Sequence, residues 1–194
     1  MAGTIPGAGI TTPLTLTTAD KTTQITLTST DADANSGPAL DYYRNSSSPA
    51  DADYIGTTRY IGRNDNTQDV NFVLISAQAN DVSDGTEDGT YIINTMRNGA
   101  LDQTFNITPT EVIINEDSKD INFRVESNNF DDAFFVNGAN GLVNIGTTAG
   151  LYELNVHDSA NAQSYVKFTN SASGETTDDG YLIGLSTANA LIIN

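Results

Sequence analysis

The chain has no cysteine and no tryptophan, a single histidine, and only 8 Lys and Arg against 25 Asp and Glu. Without cysteine, no disulfide staples the fold and no Cys-ligated zinc site exists. The formal charge of −17 argues against nucleic-acid binding, which needs basic contacts to phosphate. Anionic membrane surfaces repel the same charge. No apolar run approaches the ~18 residues of a membrane-spanning helix. The opening Met1-Ala2-Gly3-Thr4-Ile5-Pro6 lacks the basic and apolar segments of a secretory signal. Good helix formers are sparse, and no segment sustains the 3.6-residue apolar period of a helix.

What is present suits strands and turns. Thr, Val, Ile, Tyr and Phe favour the pleated sheet, and Asn, Asp and Gly favour turns. Residues 1–30 hold 11 Thr with one acid, Asp20, and one base, Lys21. The other 164 residues therefore carry the whole net charge. Leu14, Leu16, Ile25 and Leu27 alternate with Thr, the period of half-buried strands. Such a leader is too polar to order itself and needs neighbouring chains or a docking partner.

From residue 31 onward the pattern is short strand, short polar turn. Strands are expected at 39–43, 58–62, 70–79, 90–96, 111–115, 120–127, 133–137, 142–146, 152–157, 164–169 and 181–185. Turns are expected at 31–37, 64–66, 81–85, Asn98-Gly99 and Asn140-Gly141, the Asn-Gly pairs being the strongest hairpin signals. Ile121, Phe123 and Val125 alternate with Asn122 and Arg124, giving one buried and one wet face. The apolar run Leu191-Ile192-Ile193 close to the end is expected to continue into a longer natural polypeptide.

A hairpin signature occurs twice. Tyr43-Arg44-Asn45-Ser46-Ser47-Ser48 leads through an acidic linker to Asp53-Tyr54-Ile55-Gly56. Phe168-Thr169-Asn170-Ser171-Ala172-Ser173 leads similarly to Asp179-Gly180-Tyr181-Leu182-Ile183-Gly184. Repetition of this kind points to repetitive β-architecture. The stretch Asp120-Ile121-Asn122-Phe123-Arg124-Val125-Glu126-Ser127, then Phe135-Val136 and a Gly/Asn turn, then Val143-Asn144-Ile145-Gly146-Thr147, resembles a repeat of fibre proteins from tailed bacteriophages, especially those of marine bacteria. Asn144 stands where that repeat usually has a glycine. Residues 40–65 and 83–89 look like further such repeats, so the resemblance covers roughly residues 38–194. It implies an intertwined homotrimer of β-structure, often placed ahead of a self-cleaving chaperone or a receptor-binding tip.

The trimer also has a physical rationale. Short strands with two or three inward apolar residues bury too little alone, whereas three chains sharing an axis can bury Ile121, Phe123, Val125, Val143 and Ile145 against one another. Intertwining also removes exposed sheet edges.

The chemistry of single residues adds little. His157 beside Asp158 has the ingredients of part of a triad, but a lone His at a strand end is more often a surface residue. Asp81, Asp84, Glu87 and Asp88 around Gly85 and Gly89 offer oxygen ligands to a cation, though a solvated acidic turn is the plainer reading. Arg44, Arg59, Arg63, Arg97 and Arg124 suit ion pairs either between protomers or within one chain. No catalytic, cofactor-binding or metal residue is assigned, and no cofactor is expected.

The expected fold is all-β, an elongated repetitive β-shaft forming an intertwined homotrimer of short strands and hairpins. Residues 1–37 are read as a Thr-rich extended virion-anchoring segment, 38–115 as a first β-repeat region and 116–194 as a second. The expected function is that of a structural virion protein, the N-terminal part of a trimeric tail or capsid fibre. Its expected partners are two further copies, virion proteins (tail adaptor, portal or capsid) through the leader, and a host surface receptor through a part outside this chain. Neither nucleic acid nor membrane is an expected partner. A secreted bacterial adhesin or surface-layer module and a polysaccharide-degrading tailspike are the alternatives.

Overall fold

The computed structural model describes residues 13–35, 37–157, 164–169, 172, 176, 180–185 and 191–193. The chain divides into two units, Met1–Tyr42 and Tyr43–Asn194. The described residues contain no helix, and every sheet is built from strands close in sequence. The protein is all-β.

In the first unit every described residue is exposed and none is in a strand. The strands expected from the Leu/Thr alternation are therefore absent from residues 13–35. The expected strand at 39–43, which crosses into the second unit, is absent too. A strand exists only as one member of a hydrogen-bonded pair, and these residues belong to none of the described strand ladders. Local Asx bonds shape the segment instead: Thr22 N–H donates to Asp20 Oδ1 at 2.9 Å and Asn35 N–H to Asp33 Oδ1 at 2.8 Å.

The second unit opens with an antiparallel meander of five strands, β1 (Asp53–Arg63), β2 (Asp69–Asp81), β3 (Asp88–Arg97), β4 (Ala100–Ile107) and β5 (Val112–Ile114). Its turns follow from their residues. Asn98 and Gly99 have φ of 48° and 84° and close β3 onto β4 with Arg97 opposite Ala100, a two-residue turn of the primed kind. Asn64 Oδ1 accepts from Asn66 N–H at 3.0 Å and Gln68 N–H at 2.9 Å, folding the β1–β2 connection around one amide. Asp81 Oδ1 accepts from Ser83 N–H at 2.7 Å at the β2–β3 turn.

Strand β4 was not expected from the sequence. Ala100-Leu101-Asp102-Gln103-Thr104-Phe105-Asn106 breaks strict alternation. The register shift between Ile93 and Asn94 skips Thr104, whose carbonyl is free to accept from Asn115 N–H at 3.1 Å. The bulge thus places two chemically unlike half-strands in one ladder.

A four-stranded sheet follows, β6 (Phe123–Val125), β7 (Phe134–Val136), β8 (Val143–Ile145) and β9 (Leu154–Val156), with β8 and β9 parallel. Strand β6 is shorter than the expected 120–127. Before it, Gly138 N–H bonds to the Asn122 side chain at 2.9 Å rather than to a backbone carbonyl. After it, Ser127 N–H donates to Phe130 O at 2.8 Å, starting a turn. The third sheet is β10 (Ser164–Phe168), β11 (Tyr181–Leu185) and β12 (Leu191–Ile193). Here the second hairpin signature is a real hairpin, with Phe168 opposite Tyr181. Its first counterpart is not: residues 43–48 form no strand, and only the half from Asp53 onward is paired. Most of the second linker lies outside the described residues.

Two glycines separate backbone strain from crowding. Gly99 has φ +84° and open space where a Cβ would go, while a Cβ at Gly138 would overlap the Ile121 backbone. Gly99→Ala should cost about 1 kcal/mol from left-handed strain alone. Gly138→Ala should lower the urea midpoint clearly further, because Ile121 must move.

Candidate interaction face

The five-stranded sheet is a single layer, and its two faces differ in chemistry. Cross-strand partners share a face, so the register defines rows running across the sheet. One row is Gly56–Ala77–Tyr91–Ile107–Val112, and the next is Thr58–Ile75–Ile93–Phe105–Ile114. The row between them points the other way: Thr57–Ser76–Ile92–Asn106–Ile113. One face is thus apolar and free of charge along its middle, and the other is largely Thr, Ser, Asn and Gln.

The apolar face is the open one. Tyr60 is 56% exposed, Tyr91 42%, Ile107 40% and Val112 63%. Ile55, Ala77, Tyr91 and Ile107, with Pro49, line a groove of about 650 Å³ on this side. Burial falls mostly on the polar face, at Ser76, Thr90, Ile92 and Asn106, and on the apolar side at Asp102, the partner of Thr95. Ile92 and Phe135 are the buried apolar residues among those described. The whole chain leaves 15205 Å² accessible, where a compact monomer of 20.6 kDa leaves ~8,900 Å². Part of the excess is the leader, and part is this face.

The residues expected to face a shared axis behave similarly. Phe123, Val125 and Ile145 are exposed at 38–45% and Ile121 and Val143 are half-buried. Phe123 meets the Phe134 ring edge-on at 6.0 Å between centroids. Asn144 is 1% exposed and accepts from Asn155 Nδ2 at 2.9 Å across the parallel pair. The larger apolar face of the first sheet was not singled out from sequence. Its signal was there in the alternation Val73, Ile75, Ala77, Ala79 and again in Tyr91, Ile93, Thr95.

The arginines sort by partner. Arg97 Nε lies 2.8 Å from Asp102 Oδ2, and Lys119 Nζ lies 3.9 Å from the other carboxylate oxygen, with Asp102 buried. This cluster ties the β3–β4 hairpin to the loop after β5. Asp117 reinforces the same loop by accepting from Gln103 N–H at 2.7 Å. Arg44 bonds both Asp53 and the Tyr54 carbonyl. Arg63 pairs with Asp69 and Arg124 with Glu126. Arg59 has no ion pair among the described residues. It lines a groove of about 540 Å³ on the polar face with Tyr54, Asn71, Ser76 and Asn94.

The acidic turn is built for its own backbone. Asp81 and Glu87 accept from Ser83 and Gly85 N–H, and Asp51 accepts from Val82 N–H at 3.1 Å. The Ser83 hydroxyl, then its N–H, holds the Asp81 carboxyl below the ordinary carboxylate range. Its contribution to the turn is therefore complete above that range and is lost as pH falls through the lowered value. Among the described residues no three acids or histidines come together to hold a metal. His157 is exposed at the end of β9, where its N–H donates to Ile145 O at 2.9 Å. Asp158 lies outside the described residues.

Two predictions follow from the side-chain pairs. Asp102→Ala should cost about 2 kcal/mol, since it strands Arg97 and Lys119 around a desolvated site. Arg63→Ala, in a pair whose side chains are each 71% exposed, should cost under ~0.5 kcal/mol. Urea unfolding of the two variants checks the contrast. Excess EDTA should leave the thermal midpoint unchanged, because the turn carboxylates already have N–H partners; a fall of several degrees would point to a bound cation.

The chain matches no family model, no curated protein and no solved structure.

Proposed function

We propose that the chain is a structural virion protein, the N-terminal, virion-proximal part of a trimeric tail or capsid fibre of a tailed bacteriophage. The observation that carries this reading is the five-stranded sheet whose apolar face keeps large side chains exposed. The six side chains Ile55, Tyr60, Tyr91, Ile107, Val112 and Ile114 leave on the order of 600 Å² open, near the ~800 Å² each partner gives to a specific interface. Several small sheets strung along one chain suit a shaft whose layers are each completed by other protomers. The resemblance of residues 38–194 to fibre repeats supports the same reading.

The leader fits the role of virion anchor. Its described residues are exposed and unpaired in strands, with Leu14, Leu16, Ile25 and Leu27 at 44–65% exposure. A segment of that kind adds as a strand to a partner's sheet edge and inserts alternate side chains. The function is mechanical reach and oligomerisation without catalysis. Host contact falls to another part of the fibre, where several weak sites sum by multivalency.

Light scattering of the recombinant chain tests the proposal. A mass of about 62 kDa, three times 20.6 kDa, that survives mild SDS is the expected result. A compact monomer would withdraw the fibre and favour an adhesin-like module.

A further inference from the structure

We propose that the β1–β5 sheet turns its apolar face inward onto a three-fold axis, where it meets the same face of two further copies. This rests on the fibre reading above and specifies the contact it requires. The occupant of the face is a second copy of this chain, for two reasons. The first is electrostatic. In a chain of −17 like charge opposes self-contact, and the middle rows of this face carry none. Asp81, Glu87 and Asp88 line the groove at its β2–β3 turn end, so the neutral rows are where two copies meet with least repulsion.

The second is area. The open apolar surface of one face is close to what a specific interface takes from each partner. The polar face, with Arg59, Asn71, Ser76 and Asn94, is then the outer surface.

Because the chain has no cysteine, single thiols report cleanly on this arrangement. Ala77 on the apolar face and Thr57 on the polar face are both exposed in the isolated chain. In the intact oligomer, Ala77→Cys should react with a maleimide at least tenfold more slowly than Thr57→Cys, with equal rates after denaturation. Equal rates in a trimer, or protection of position 57 instead, would overturn the face assignment and leave the fibre reading standing. An Ala77→Cys protein that is monomeric while the parent and Thr57→Cys remain trimeric would place position 77 in the contact. A monomeric parent would overturn both proposals, whether or not position 77 is protected.

Discussion

A sheet one layer thick cannot bury its own apolar face, and most of what is distinctive in this chain depends on that constraint. Hydrogen bonding in the β1–β5 meander is met by neighbouring strands, so the ladder itself is complete. Among the described residues the meander has no second layer. The row through Tyr91 has the composition of a core and the exposure of a surface, and the row through Ile93 is half-buried. At ~25 cal/mol per Å², covering on the order of 600 Å² would contribute about 15 kcal/mol per copy before the cost of association. That is comparable with the whole stability of an ordinary domain. Assembly and folding are therefore coupled in the proposed fibre.

The turns are fixed by a different economy of atoms. Asp81, Asp51, Glu87, Asn64 and Asn115 each lend side-chain oxygens to nearby backbone N–H groups. Polar turn residues thus do locally what a hydrophobic core does elsewhere, fixing where each strand starts and how it is offset. The acidic composition follows in part from this work, since carboxylates accept from N–H more strongly than neutral groups.

The all-β class, the strand-turn rhythm and both Asn-Gly turns were legible in the residues, because period-two patterning and turn chemistry are local properties. The expected strands at 70–79, 90–96 and 181–185 coincide closely with β2, β3 and β11. What was not legible depended on pairing. Residues 39–43 have strand composition but join no described ladder, and Phe123–Val125 is cut short by the Asn122 bond to Gly138 and by the turn that Ser127 makes with Phe130. Strand β4 was hidden by the Thr104 bulge and by Asp102, whose burial makes sense only once Arg97 and Lys119 are beside it. The apolar face emerged only from the register, since no single strand reveals which rows line up across five.

Charge and the open face set opposite demands, and their placement reconciles them. A protein of −17 repels its copies at long range, which keeps unassembled chains apart and limits casual edge pairing. The repulsion is screened over ~8 Å at physiological salt, while the apolar attraction acts on contact. The acids gathered at turns such as that of Asp81, Asp84, Glu87 and Asp88 therefore oppose encounters in which turn would meet turn. They interfere least with the orientation in which the neutral rows meet. The buried Asp102 does not break this division, because Arg97 and Lys119 neutralise it at the end of the face. In the proposed fibre, a face neutral along its middle thus favours contact between copies through that face over contact through the turns.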